Sequence, residues 1–121
     1  MAEPPLSAES ILRPETLEVS VADTHALMQL PTPPFDLVDC REEDEWAFCR
    51  IEGARLAPLS RFGELRVPET SAGRPVLVYC HHGMRSARAA QWLRQQGCEA
   101  WSLAGGIEAW SQEIDPTVPR Y

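Results

Sequence analysis

Cys80-His81-His82-Gly83-Met84-Arg85-Ser86 gathers a thiol, two imidazoles, a permanent cation and a hydroxyl within one short stretch. Ahead of the cysteine runs Val76-Leu77-Val78-Tyr79, bounded by Pro75. Four apolar residues so bounded fit a strand covered on both faces. From Ser86 onward Ala89, Ala90 and Leu93 recur at helical spacing, Arg88, Gln91 and Gln95 take the other side, and Gly97 follows as a C-terminal cap. Cys80 therefore falls at the carboxyl end of a strand and under the amino terminus of a helix. Backbone N–H groups and the helix dipole favour an anion there, so a thiolate or a sulfur carried on it would be stabilised.

The size of the effect decides whether this chemistry is available. A free thiol with a pKa of about 8.5 is only a few per cent ionised at neutral pH. Two units of depression, about 2.7 kcal/mol, would make it mostly thiolate. A helix terminus supplies roughly 0.3 to 2 kcal/mol and nearby cations add to it. Arg85 is always charged, and His81 and His82 add charge when protonated. The alternative is an inert buried cysteine at a strand end.

The rest of the chain alternates strands and helices that would hold this loop. Residues 17–20 read as a short strand, with Ser20 and Asp23 as a capping pair before a helix that carries Val21, Leu27, Met28 and Leu30. Pro31-Thr32-Pro33-Pro34 ends that helix. A strand over 35–39 precedes an acidic helix over 42–48, and a short strand over 54–57 precedes a helix from Ser60 through Arg66. Residues 67–74 read as polar loop, 100–103 as a strand, and Gly105-Gly106 turns into a last helix ending near Gln112. Such alternation implies an α/β fold with a mostly parallel sheet flanked by helices on both faces. Ligands in these sheets bind outside the carboxyl ends of the strands, where Asp39, Cys80 and Leu103 fall.

Cys80-x-x-Gly83-x-Arg85-Ser86 resembles the active-site loop of the rhodanese family, whose cysteine carries sulfur as a persulfide. Leu37-Val38-Asp39-Cys40-Arg41 resembles the family's strand ending in Asp-x-Arg, and Glu45-Trp46 with Ile51-Glu52-Gly53-Ala54 resembles its Glu-aromatic and His-Ile-x-Gly-Ala segments. Leu103-Ala104-Gly105-Gly106-Ile107-Glu108-Ala109-Trp110 is similar to its closing signature. The tail from Asp115 to Tyr121 also resembles rhodanese domains fused to adenylating enzymes of cofactor sulfuration. One departure is Cys49-Arg50 where the family has Gly-His. The resemblance implies a single-domain rhodanese-like sulfurtransferase with about five strands over residues 17–121, after a disordered or loosely packed segment over 1–16.

It also implies the roles. Cys80 would attack the outer sulfur of thiosulfate or another small anionic donor and hold a persulfide, passing it to a thiol or a protein acceptor. His81, His82, Gly83, Met84, Arg85 and Ser86 would form the substrate-binding loop, with Arg85 drawing the anion. Asp39 and Arg41 would support the site, either structurally or through a direct electrostatic effect. Cys49 is a candidate resolving thiol for Cys80, whereas Cys40 and Cys98 read as small packing residues. Two other uses of the residues stay open. One is a protein-to-protein sulfur relay with little thiosulfate activity. The other is a phosphatase or arsenate reductase on the same fold, although those enzymes have one residue more between cysteine and arginine than Cys80 and Arg85 do.

Composition narrows the classes. The chain has 121 residues, enough for one domain with a sizeable core. A net charge of −7 argues against nucleic acid as a partner, and all 11 cations are arginine. No apolar run suits a membrane span, and Met1-Ala2-Glu3-Pro4-Pro5 is unlike a secretory leader. Four cysteines without framework spacing fit reduced thiols in a cytoplasm. Cys80, His81 and His82 are too close in sequence to wrap one ion readily, so no metal is expected. The proposed chemistry needs no cofactor.

Overall fold

Short apolar runs give this chain strands of four residues or fewer, and burial rather than length makes them a sheet. The computed structural model describes residues 7–121. In chain order the elements are α1 (Ala8–Ile11), β1 (Glu18–Val19), α2 (Val21–Met28), β2 (Asp36–Asp39), α3 (Glu43–Phe48), β3 (Arg55–Leu56), α4 (Val67–Thr70), β4 (Val76–Tyr79), α5 (Met84–Gln95), β5 (Ala100–Leu103) and α6 (Gly106–Glu113). The strands form one sheet in the order β1-β5-β4-β2-β3, and every pairing is parallel. This is the α/β architecture that the alternation implies.

Alternation along the strands divides the core in two. Leu37, Leu77, Tyr79, Trp101 and Leu103 pack on one face with Leu27 of α2 and Ile107 and Trp110 of α6. Val38, Cys40, Val76, Val78, Cys80 and Ala100 face the other way, onto Ala89, Ala90 and Leu93 of α5 and onto Phe62 and Val67. Each fully buried Leu, Ile or Val contributes about 1.5 to 3 kcal/mol. The central strand β4 is buried at all four positions, as are all four of β5. The carboxyl end of β4 is thus fixed from both layers, and that is where Cys80 emerges.

Several elements differ from the sequence reading, each for a local reason. Ser60 does not cap a helix running to Arg66. A single 3₁₀ turn spans Leu59–Arg61, and the Ser60 hydroxyl donates to Glu42 Oε1 at 2.6 Å. Residues 67–74 are not all polar loop, because Val67 is fully buried and anchors α4, whose first turn accepts Pro68. Helix α5 starts two residues before Ser86, with Gly83 at φ 108° as the residue that turns the chain into it.

The sequence reading set residues 1–16 apart from the domain. Residues 1–6 lie outside the described residues. Residues 7–16 are held to the domain: Ile11 and Leu12 pack on the core, Trp101 Nε1 donates to the Arg13 carbonyl at 2.9 Å, and Arg94 donates to the carbonyls of Pro14 and Thr16. The Trp101 indole and the remaining guanidinium donors of Arg94 hold this segment in. Among the described residues no helix is long and apolar enough to cross a membrane.

Candidate active site

Cys80 is the first residue beyond β4, and the chain reverses over it into α5. Its Sγ accepts the Gly83 N–H at 3.0 Å and the Ser86 N–H at 3.4 Å. Ser86 Oγ lies 3.4 Å from the same sulfur and 2.7 Å from Ser102 Oγ. A Ser102 proton given to Ser86 leaves the Ser86 proton for the sulfur. The N–H groups of Met84 and Arg85, in the first turn of α5, have no carbonyl to meet within the helix. They are free to face an anion.

These donors act on the thiol. The neighbouring Cys40 thiol, the Ser86 hydroxyl and the Ser86 and Gly83 amides outweigh burial and bring Cys80 down to about 4. Cys40 moves the other way. The Cys80 thiolate on the adjacent strand end and its own burial hold it as a neutral thiol. One member of the pair is therefore an anion and the other a neutral thiol.

A second helix end closes the loop from below. The N–H groups of Ile107 and Glu108 donate to the carbonyls of Cys80 and His81 at 2.9 and 3.1 Å. That approach needs Gly106, at φ 62°, because a Cβ there would overlap the carbonyls of Cys80 and His81. Gly105 and Gly106 thus let α6 support the loop's backbone.

Around the rim the predicted residues separate by role. His82 and Met84 are exposed, with Met84 80% exposed. Cys80, His81, His82, Met84, Arg85 and Arg88 line an open cavity of about 360 Å³. The His81 ring is stacked between His82 and Tyr121, each 3.9 Å away, and its Nε2 lies 3.7 Å from Glu108 Oε2. Arg85 is not free to reach a donor with its whole fork, since Nη1 and Nη2 bind Glu45 at 2.7 and 2.9 Å. Asp39 and Arg41 are fully buried and away from the cavity. Arg41 Nε and Nη2 bind the Asp39 carboxylate at 3.0 and 2.6 Å, Nη2 reaches the Cys49 carbonyl at 2.6 Å, and Nη1 reaches Tyr121 Oη at 2.9 Å. Arg41 cannot touch a substrate; it ties β2, α3 and the tail together behind the loop.

Cys49 takes no part in the pocket. It lies in the opposite core layer from Cys80, with its thiol directed at the Pro119 carbonyl at 3.5 Å. His81, His82 and Glu108 bring ligand-type atoms within 4.8 Å of one another. The two imidazole planes lie 20° apart, so their in-plane lone pairs run side by side instead of converging on one ion. A larger cleft, about 420 Å³ and lined by Met28, Pro33, Phe35, Asp36, Glu52 and Arg55 among others, holds no thiol, hydroxyl or imidazole.

Comparison with known proteins accounts for this arrangement. The Rhodanese-like domain family matches residues 20–113. The chain belongs to that family. It is 34% identical over 110 residues to the chloroplastic Rhodanese-like/PpiC domain-containing protein 12 of Arabidopsis thaliana, covering 86% of this chain and 37% of the relative. A probable adenylyltransferase/sulfurtransferase, MoeZ, of Mycobacterium tuberculosis is 34% identical over 90 residues, which is 70% of this chain and 22% of MoeZ. A solved structure of thiosulfate sulfurtransferase from Pseudomonas aeruginosa superposes with a TM-score of 0.71 at 26% identity, over 80% of this chain and 19% of that one. The rhodanese-like chain therefore spans well under half the length of each of these three.

Four residues of this rhodanese-like domain's site were not singled out from sequence. Cys40 and Ser102 come from neighbouring strands, Glu45 from α3, and Tyr121 from the tail, where its hydroxyl donates to Glu45 Oε2 at 2.6 Å. Arg88, placed on the outer side of its helix by periodicity, lines the cavity as well. Cys40, Glu45 and Tyr121 lie in stretches that resemble the family, without a site role there, and Ser102 carries no such signal.

Proposed function

We propose that this domain is a sulfurtransferase that carries sulfur on Cys80. The observation that carries the reading is the sulfur cradle itself: a low-pKa thiolate held by the Gly83 and Ser86 amides, with the first-turn amides of α5 beside it. Relationship to the probable sulfurtransferase of M. tuberculosis and to the thiosulfate sulfurtransferase of P. aeruginosa supports it.

With thiosulfate as donor, the Cys80 thiolate attacks the outer sulfur and a new S–S bond forms. The donor's own S–S bond breaks, and sulfite leaves with its electron pair. The persulfide anion keeps the negative charge inside the loop, where the N–H groups of Met84 and Arg85 can meet its terminal sulfur. A thiol or a protein acceptor then attacks that terminal sulfur and frees the Cys80 thiolate. Gly83, Ser86 and Ser102 hold the nucleophile, Arg88 and His82 face the incoming anion at the rim, and Arg85 shapes the loop through Glu45.

Intact mass before and after thiosulfate tests this. The native chain gains one sulfur atom, cyanide removes it as thiocyanate, and Cys80→Ser gains none. A gain that persists in Cys80→Ser overturns the site. Absence of any gain with thiosulfate, together with turnover of an aryl phosphate, overturns the reaction class.

A further inference from the structure

Cys40 stands where no packing residue need be a thiol. Strands β2 and β4 pair in parallel register with Asp39 beside Tyr79, and the Cys40 N–H continues that ladder onto the Tyr79 carbonyl at 3.0 Å. Cys40 and Cys80 are the next residues on each strand. Alternation turns both side chains to the same face, where they share one buried cluster with Val38 and Val78. Adjacent strands run about 4.7 to 4.9 Å apart, inside the Cα separation of roughly 4.4 to 6.8 Å that a disulfide spans. Both cysteines are buried, but Cys80 borders the open cavity and Cys40 does not.

We infer that Cys40 is a resolving thiol for Cys80, closing a reversible disulfide after a small hydroperoxide has oxidised Cys80. The Cys80 thiolate attacks one oxygen of the peroxide. The O–O bond breaks, the sulfur is oxidised by two electrons to the sulfenic acid, and the displaced hydroxide takes a proton from solvent to become water. Cys40 sulfur then attacks the Cys80 sulfur; its proton leaves with the sulfenic oxygen as a second water, and the S–S bond forms without further oxidant. Once Cys80 is a neutral sulfenic acid, the thiolate that held Cys40 protonated is gone, so the partner becomes a better nucleophile at the moment it is needed. The disulfide blocks sulfur transfer and spares Cys80 from the irreversible sulfinic and sulfonic acids. An external dithiol reverses it. This inference rests on the Cys80 thiolate that the sulfurtransferase reading also uses.

The test treats the full chain with a small excess of hydrogen peroxide and maps cysteine pairs in a non-reducing digest. A Cys40–Cys80 cross-linked peptide is expected, with thiosulfate sulfurtransfer reduced at least about tenfold and regained after dithiothreitol. The link should persist in the Cys49→Ser/Cys98→Ser double variant, which retains both partners. In Cys40→Ser, compared with its own untreated rate, peroxide should drive Cys80 to the sulfinic acid and the loss should resist dithiothreitol. If that variant fails to fold, mapping of the native chain and the double variant still decides. Cys80 found over-oxidised with Cys40 still open to alkylation after denaturation, or Cys80 linked to Cys49 or Cys98, overturns the inference. Cys80 that resists peroxide yet gains sulfur from thiosulfate overturns the resolving role alone. Cys80 that does neither overturns the sulfurtransferase reading as well.

Discussion

Arg85 directs both terminal guanidinium nitrogens at the Glu45 carboxylate, at 2.7 and 2.9 Å. The loop cation is thereby fixed to α3 across the site mouth, and the Tyr121 hydroxyl joins the same carboxylate. An arginine so held sets the shape of the loop, and the exposed Arg88 lines the same cavity.

The pair carries a pH signature. Arg85 first, then the Tyr121 hydroxyl and the Glu42 N–H, hold the Glu45 carboxyl down at about 2, against an ordinary value of about 4.3. A depressed carboxyl contributes stability that is fully present above its unfolded pKa and is lost as pH falls through its folded one. Glu45→Gln should therefore be less stable than the native chain in urea at pH 7. The gap should narrow as pH drops from about 4 toward 2. A gap that stays constant down that range would show that Glu45 contributes nothing through its charge.

Gly106 lets the first turn of α6 sit against the loop backbone, and a methyl group there has no room beside the carbonyls of Cys80 and His81. Gly106→Ala should lose more than about 1 kcal/mol of stability. Because displacement of about 1 Å can cost on the order of a hundredfold in rate, sulfur transfer should fall further than stability implies under conditions where the variant is folded. Wild-type rates in a folded Gly106→Ala protein would rule out this support.

How much of this was legible beforehand follows from what each signal is made of. The β4–loop–α5 unit is local, so its apolar run, glycine and helical spacing placed Cys80 at a strand end beneath a helix. Asp39 and Arg41 were legible through the same kind of local motif. Sequence alone gives Cys40 as a packing residue because its neighbour is set by strand order: β2 lies beside β4 and not β5, which no spacing in the chain states. Cys49 is a candidate resolving thiol on residue type alone. The sheet places it in the other core layer, since its thiol follows the Arg41 side and Cys40 the opposite one. Ser102 and Tyr121 lie 16 and 35 positions beyond Ser86, and only the closed fold brings them in. The short helix α4 was missed because one buried valine, with little periodicity around it, anchors a single turn.

Arg41 and Asp39 form an ion pair in which neither side chain is exposed. Removing one partner leaves the other charged and dry, at a cost of about 3 to 5 kcal/mol. Asp39→Asn and Arg41→Met should each lower the urea midpoint strongly. The double variant should lose at least about 1 kcal/mol less than the two single losses together. Strict additivity would mean that the guanidinium's bonds to the Cys49 carbonyl and Tyr121, and not the carboxylate, hold it in place.

Cys80 should behave as an anion far below the range of an ordinary thiol. With its pKa at about 4, iodoacetamide should alkylate Cys80 at a nearly constant rate from pH 8 to about 5, and the rate should fall through pH 4 as the thiolate protonates. Ser86→Ala removes one donor to that anion while leaving the Ser86 amide in place. A hydrogen bond to a charged group is worth about 1.5 to 3 kcal/mol, so the midpoint should rise by about one to two pH units. Peptide-resolved alkylation separates Cys80 from Cys40, which stays a neutral thiol over this range, and from the half-buried Cys98, which burial pushes up. A native midpoint near 8.5 would show that the amides and hydroxyls around the sulfur do not stabilise its charge. A low native midpoint that Ser86→Ala fails to move would instead place the stabilisation on the backbone amides and Cys40.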